Sequence, residues 1–212
     1  MSGEKFKYLS EPLKSYLEKV SAKTPAPGGG SVVACIASLS AALINMVLNY
    51  TIGKEKYAAW DEELRVMKAE NDSILEKLSG YIEHDSEVYE SIRKYTAEKN
   101  TALAEQCLKE SAKIHLDICR FAKKIIGFAE VLSERGNRNL ISDTGIAVSL
   151  AIASFNTARL NVLINLQFLK GDSDFVAVSM QEMDRAGKEV LERGEAVYGK
   201  ISKILEAKDG GK

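Results

Sequence analysis

Proline is almost absent from this sequence of 212 residues and occurs only as Pro12, Pro25 and Pro27. Proline usually marks loops, turns and strand edges, and the whole of the chain after Pro27 contains none of it. No segment shows sustained alternation of apolar and polar residues with turn pairs, so we expect no β-sheet. The scarcity of proline therefore favours long helices.

The sequence also lacks an excess of either charge, with 29 Lys and Arg against 30 Asp and Glu. Nucleic-acid-binding proteins usually carry a clear basic excess, so we expect no nucleic-acid partner. The three cysteines are odd in number and scattered, which argues against a disulfide framework, and the absence of CxxC and HExxH spacings predicts no metal. The N-terminal residues lack the apolar region of a secretory signal, and we expect a cytoplasmic protein.

An uncharged run from Ala26 to Gly53 is long enough to be considered as a membrane span. It contains three consecutive glycines and several Ser, Asn and Thr residues, and a second uncharged run over 144–158 is too short to span a bilayer. Two central helices that are buried in a protein core explain both runs better. We therefore expect no membrane association, with a membrane span as the alternative.

Apolar residues recur every three or four positions, which is the period of a helix. We predict six helices, over approximately 11–22, 31–51, 57–99, 101–135, 142–170 and 172–207, followed by a frayed tail from Lys208. Ser10 is expected to cap the first helix, and Ser142 or Asp143 the fifth. Residues 1–212 are thus predicted to form a single-domain, all-α helical bundle with the second and fifth helices at its centre. The Ala- and Ser-rich faces of these two helices either pack together inside the bundle or form a dimer contact.

Three consecutive glycines, Gly28, Gly29 and Gly30, precede Ser31 at the start of the second helix. Free backbone N–H groups and the helix dipole make such a helix start a potential site for an anion or a carbonyl oxygen. The segment has neither the Gly-Lys-Ser/Thr of a P-loop nor the preceding strand of a dinucleotide-binding motif. The spacing alone is equally compatible with a ligand site and with a tight turn into a buried helix.

Asp85 lies on the apolar stripe of the third predicted helix, in register with Ile82 and Ile92. A carboxylate in such a position loses hydration and, unless it is paired, binds its proton more tightly than a carboxylate in water. Groups of this kind are typical of proton transfer, and the alternative is a buried structural Asp that is paired with Tyr or Arg. His84 points about 100° around the helix from Asp85, so we expect it at the edge of the core rather than as the partner of Asp85.

Asn161 and Asn165 lie four residues apart, and therefore on the same helix face. Asn45 and Asn49 have the same spacing on the second helix. The apolar neighbours of Asn161 and Asn165 indicate burial, and a buried amide needs hydrogen-bond partners. Either a ligand or a neighbouring helix can supply these partners.

Five features occur in one order along the chain: TPAPGGGSV at 24–32, TIGK at 51–54, Asp85 with Tyr89, Gly136-Asn137 with Ser142-Asp143, and NVLINL at 161–166. This order resembles the formiminotetrahydrofolate cyclodeaminase family, which includes bacterial methenyltetrahydrofolate cyclohydrolases. The resemblance covers nearly the whole chain. It implies an all-α fold, a homodimer and a tetrahydrofolate derivative as substrate, without a further cofactor.

The resemblance assigns Asp85 as the catalytic proton donor. It assigns substrate binding to the family's signature positions, which are Gly28, Gly29, Gly30, Ser31, Asn137, Ser142, Asp143, Asn161 and Asn165. Lys54 and Lys56 are candidates to attract the glutamate tail of the folate, with a solvated helix end as their alternative role. The chain departs from the family pattern in a shorter segment after Tyr89 and in His115, which stands where a proline is usual.

The implied reaction converts 5-formiminotetrahydrofolate to 5,10-methenyltetrahydrofolate and ammonia. The first alternative is a cyclohydrolase that adds water to the methenyl compound and yields 10-formyltetrahydrofolate. The second is a non-catalytic helical dimer that binds folate. The residues do not distinguish the two reactions, because both act on one carbon with the same kind of acid–base group.

Overall fold

Six α-helices dominate the computed structural model, which describes residues 6–209. The helices are α1 (Leu13–Ser21), α2 (Gly29–Asn49), α3 (Asp61–Ala97), α4 (Thr101–Arg135), α5 (Ile141–Phe168) and α6 (Ser173–Asp209). Helical residues make up 88% of the described chain, and no strand occurs within it. The predicted all-α bundle of six helices is confirmed. The predicted fraying of the tail falls largely outside the described residues, since 210–212 are not among them.

The predicted helix caps are wrong, although the helix boundaries agree within a few residues. The Ser10 hydroxyl donates to the carbonyl of Lys7 at 2.9 Å, and α1 begins after Pro12. Neither Ser142 nor Asp143 caps α5, because the 3₁₀ turn Arg138–Leu140 leads directly into that helix. The side chain of Asn137 caps this turn instead, where it accepts a hydrogen bond from the N–H of Asn139 at 3.1 Å.

The small-residue faces of α2 and α5 pack against each other inside the bundle. Ala37 and Ala41 on α2 and Ala147 and Ala151 on α5 are fully or almost fully buried. The Ser40 hydroxyl donates to the carbonyl of Ala147 at 2.7 Å, which requires a close approach of the two backbones. Of the two roles predicted for these faces, the structure shows packing within one chain.

The outer faces of the same two helices carry exposed apolar side chains. Leu39 on α2 is 55% exposed, and Ile146, Leu160 and Ile164 on α5 are 48–65% exposed. The segments Gly29–Asn49 and Arg138–Phe168 are long and apolar enough to cross a membrane, and 61% and 39% of their apolar windows are buried in the bundle. Core packing therefore accounts for much of the apolar character of α2 and for less of that of α5.

Helices α3 and α4 form a long antiparallel hairpin around a turn at Glu98–Asn100. Asn100 accepts a hydrogen bond from the N–H of Leu103 at 3.2 Å and so caps α4. Far from this turn, the Tyr81 hydroxyl donates to Asp117 at 2.9 Å. Burial and this carboxylate raise the pKa of Tyr81 to about 12. The hairpin fixes which residues of α3 and α4 face each other, and it thereby positions Asp85.

Candidate active site

A pocket of about 830 Å³ opens where the N-terminus of α2 meets α3, α4 and α5. Its walls combine apolar side chains with a few polar ones, as in typical small-molecule sites. The lining includes Ile92, Leu108, Ile164, Phe168, Asp85, Ser86, Ser111, His115, Asn161, Asn165 and the glycines 28–30. The structure thus brings Asp85 together with five of the nine predicted substrate-binding residues, which are the three glycines and the two asparagines of α5.

Gly30 leaves no room for a side chain beside Asp85. A Cβ atom added to Gly30 would lie 2.1 Å from Oδ1 and 2.5 Å from Oδ2 of Asp85, well inside van der Waals contact. A Cβ atom on Gly28 or Gly29 would meet nothing within 4 Å. The carboxyl group of Asp85 therefore lies directly against the first turn of α2, and the residue as a whole is only 9% exposed. The partial positive charge of a helix N-terminus favours a negative group there.

Ser31 holds this first turn in place and does not line the pocket. Its hydroxyl donates to the carbonyl of Ile82 on α3 at 2.7 Å. Because its single proton is used in this bond, Ser31 accepts the hydrogen bond from the Tyr16 hydroxyl at 3.0 Å. Burial raises the pKa of Tyr16. This buried chain ties α1, α2 and α3 together one turn away from Asp85.

His115 is the partner of Asp85. Its Nε2 atom lies 3.1 Å from Oδ1 of Asp85, and its side chain is 1% exposed. The other ring nitrogen, Nδ1, is buried without a hydrogen-bond partner among the described residues. From the sequence, Tyr or Arg is the expected partner if Asp85 is structural, and His115 stands out only as a departure from the family pattern. The burial of His115 could have been predicted from its position on the apolar stripe of α4, in register with Leu108, Ala112 and Cys119.

His84 lies away from Asp85, as predicted. Its Nε2 atom is 2.9 Å from Oε1 of Glu110, and its side chain is 40% exposed at the surface of the α3–α4 hairpin. Ser86 is a further pocket residue, and it was not predicted from the sequence. Its hydroxyl is buried and has no hydrogen-bond partner among residues 6–209.

The two asparagines of α5 have different environments. The side-chain amide of Asn165 donates to the Ser111 hydroxyl at 2.9 Å and to the carbonyl of Asn161 at 2.8 Å, so it links α5 to α4. The side chain of Asn161 takes part in none of the hydrogen bonds found among the described residues and lines the pocket. Asn161 is therefore the asparagine whose amide is available to a ligand. Asn45, by contrast, bonds to Asn71 and Asp72 in the core.

Asn137, Ser142 and Asp143 do not line the pocket that contains Asp85. The Asn137 amide donates to the carbonyl of Tyr50 at 3.0 Å and joins the α4–α5 connection to the end of α2. Ser142 and Asp143 lie in the first turn of α5, roughly 28 Å along the helix from Asn161 at about 1.5 Å per residue. Within one chain these residues are thus separate from Asp85, and their assignment to substrate binding stays a prediction.

Charged residues mark one end of the pocket. Lys170 and Glu105 line it near the end of α5. The sequence-based candidates for binding a glutamate tail, Lys54 and Lys56, do not line this pocket. Their ammonium groups lie over the rings of Tyr50 and Tyr57, respectively. No group of three His, Cys, Asp or Glu side chains in the described part of the chain is arranged to hold a metal ion. The expectation that no cofactor is required stays a prediction.

Comparisons with known proteins agree with this fold and identify the family. The chain matches the family described as formiminotransferase-cyclodeaminase over residues 12–185. It is 32% identical over 198 residues to the methenyltetrahydrofolate cyclohydrolase of Methylorubrum extorquens, with 89% of this chain and 95% of that protein covered. The crystal structure of formiminotetrahydrofolate cyclodeaminase from Thermotoga maritima matches with a TM-score of 0.87 and 28% identity, over 94% of this chain and all of that one.

The formimidoyltransferase-cyclodeaminase of Rattus norvegicus is 26% identical over 180 residues. This match covers 81% of the present chain but only 33% of the rat protein, so the chain spans about a third of that relative. The family predicted from the glycine segment, Asp85 and the α5 asparagines is confirmed by these matches. This chain belongs to the formiminotransferase-cyclodeaminase family of folate one-carbon enzymes.

Proposed function

We propose that this protein converts 5-formiminotetrahydrofolate to 5,10-methenyltetrahydrofolate and ammonia. The observation that carries the proposal is the buried carboxyl group of Asp85 in the wall of a pocket of about 830 Å³. Pockets of this size take ligands as large as a folate head group. The match to the Thermotoga maritima protein that is named for this reaction supports the assignment.

The reaction requires one proton to move twice. The formimino group reacts as its cation. N10 of the folate attacks the formimino carbon, a C–N10 bond forms as the C=N π electrons become the lone pair of an amino group, and N10 must lose its proton. The bond from this carbon to the amino group then breaks, and the amine gains a proton and leaves as ammonia. In this proposal Asp85 takes the proton from N10, delivers it to the departing amine and returns to its ionised form.

The groups around Asp85 can orient the substrate. The first N–H groups of a helix have no acceptor within the helix, and in α2 the first such bond runs from Val32 to the carbonyl of Gly28. We assign the N–H groups of Gly29 and Gly30 and the side-chain amide of Asn161 to the polar edge of the pterin. We assign Lys170, which lines the end of the pocket, to attract the negatively charged glutamate tail. Such positioning contributes to rate by holding the reacting atoms in contact.

The exposed apolar faces of α2 and α5 are the proposed contact of a homodimer. Leu39, Leu160 and Ile164 form part of this outer surface, and exposed apolar patches commonly mark protein–protein interfaces. Ser142 and Asn161 lie at opposite ends of α5. If two copies of α5 pack antiparallel about Ala153, Ser142 of one subunit lies opposite Ile164 of the other, at the edge of its pocket. This arrangement would bring the separate signature residues to one site.

Methenyltetrahydrofolate cyclohydrolase is the second candidate function. The Methylorubrum extorquens protein of that name has the higher identity, 32%, and matches over 95% of its length. In this reaction water would attack the methenyl carbon and give one proton to Asp85. The bond from that carbon to N5 would then break as the formyl C=O bond forms, Asp85 would deliver its proton to N5, and the remaining hydroxyl proton would be released to solvent. A non-catalytic folate-binding dimer is less consistent with a carboxylate and an imidazole buried together, because burying such groups is costly in a protein that gains no chemistry from them.

Separate assays with each folate distinguish these functions. Purified protein receives 5-formiminotetrahydrofolate in one assay and 5,10-methenyltetrahydrofolate in the other, and the methenyl absorbance and free ammonia are followed. We expect methenyl absorbance to appear together with ammonia in the first assay. Loss of methenyl absorbance in the second assay alone would identify a cyclohydrolase. Binding of both folates without turnover of either would overturn the proposal of an enzyme.

A further inference from the structure

Among the described residues, His115 makes the only side-chain hydrogen bond to the Asp85 carboxyl group. The contact involves Oδ1 at 3.1 Å, and no hydrogen bond within residues 6–209 uses Oδ2. Both residues line the pocket. The two oxygens of the carboxyl group are therefore inequivalent, with one bonded to the protein and the other available to a ligand.

The surroundings of the His115 ring determine which nitrogen carries the proton. Nδ1 is buried and has no partner among the described residues. A proton on Nδ1 would be a buried donor without an acceptor, which is more costly than a bare lone pair at the same place. The neutral tautomer with its proton on Nε2 avoids this cost. In that tautomer Nε2 donates to Oδ1 of Asp85, and Oδ1 is the accepting atom.

We propose that His115 is a positioning residue that holds Oδ1 of Asp85 and reserves Oδ2 for the proton exchanged with the substrate. The proposal rests on the function proposed above. His115 itself exchanges no proton with the folate. It acts by fixing the orientation of the carboxyl group, which on its other side is confined by Gly30.

Two substitutions separate positioning from packing. His115→Gln can keep an N–H donor near the position of Nε2, whereas His115→Met fills a similar volume without a donor. We expect His115→Gln to stay within about threefold of the wild-type kcat, and His115→Met to lower kcat about 10- to 100-fold with KM little changed, as for loss of a hydrogen bond to a charged group. In the Asp85→Asn background, His115→Met should cause no further loss. A kcat within about threefold of wild type for His115→Met, or an equal loss for both variants, would overturn the proposal.

A spectroscopic test needs neither a variant of His115 nor a substrate. The chain has only two histidines, so the ring nitrogens of ¹⁵N-histidine-labelled protein give two sets of NMR signals, which His84→Ala assigns. We expect Nε2 of His115 to carry a proton and Nδ1 to carry none, and the Nε2 resonance to move in Asp85→Asn. A proton on Nδ1, or a resonance unchanged in Asp85→Asn, would overturn the proposed contact. If neither folate is turned over, the proposed function fails and the catalytic role fails with it, while the NMR result still decides whether His115 holds Asp85.

Discussion

Gly30 and Asp85 are in direct contact across the α2–α3 interface, and the contact leaves no space for even a methyl group on Gly30. A Cβ atom there would lie 2.1 Å from Oδ1 of Asp85. The third glycine of the segment is thus explained by packing against a carboxyl group rather than by backbone conformation, because Gly30 lies within the helix α2. The glycine segment and the acidic residue, which are far apart in sequence, belong to one site.

Gly30→Ala should displace the Asp85 carboxyl group and lower turnover. We expect a loss of about 10²-fold in kcat, since a shift of about 1 Å in a reacting group has an effect of this size, and a destabilisation of about 1–3 kcal/mol from overpacking. Turnover is followed by the methenyl absorbance and stability by denaturant unfolding.

Gly80→Ala is the matched control for this substitution. Gly80 lies on the exposed side of α3, on the N-terminal side of Asp85, and a Cβ atom there meets nothing within 4 Å. We expect Gly80→Ala to raise stability by about 0.5–1 kcal/mol through helix propensity and to leave turnover unchanged. Wild-type turnover in Gly30→Ala would contradict the assigned contact.

Leu160→Glu should disrupt the proposed homodimer. The substitution places a charge in the exposed apolar face of α5, where association would have to bury it without a partner. Light scattering should give twice the chain mass of 23.3 kDa for the wild type and the single chain mass for this variant. Val178→Glu on α6 is the control, because Val178 is 63% exposed and Leu160 is 65% exposed. A monomeric wild type, or equal effects of the two substitutions, would rule out this interface.

Lys170→Gln should weaken the binding of folates that carry a glutamate tail. Removing one solvent-exposed charge contact predicts a rise of about two- to fivefold in KM with kcat unchanged. Lys188→Gln on α6 is the control, since Lys188 is an exposed lysine that does not line the pocket. An equal change in KM for both variants would show that only overall charge matters.

Much of the architecture could be predicted from periodicity and from the missing prolines, because helices of 21–37 residues repeat the helical pattern of apolar positions many times. The helix caps could not be predicted in this way, because they depend on how short turns such as Arg138–Leu140 join the helices. Whether the Ala- and Ser-rich faces of α2 and α5 pack within one chain or between two chains also could not be predicted, because it depends on tertiary packing. A close approach of two backbones looks the same in sequence whether it lies within one chain or between two.

The pairing of Asp85 with His115 is the main feature of the site that sequence reasoning missed. Lys99 lies at the centre of the α3–α4 turn, and Asp85 and His115 lie at nearly equal distances along the chain on either side of it. A symmetrical hairpin therefore brings Asp85 and His115 together. Tyr81 and Asp117 lie equally far from Lys99 on either side, and their hydrogen bond confirms that register. Predicting the pair required knowing that α3 and α4 are joined by a short turn and that both residues lie on the facing stripes.

The turnover of Asp85→Asn compared with wild type tests the central claim most directly. The substitution keeps the size and polarity of the side chain but removes the carboxyl group that exchanges the proton. With the folate that the wild type converts, we predict a loss of about 10²–10⁴-fold in kcat, with helix content by circular dichroism and folate binding retained. His84→Ala should change turnover only slightly, because His84 faces Glu110 at the surface. Turnover of Asp85→Asn within about threefold of wild type would contradict the assignment of Asp85 as the proton-transfer group.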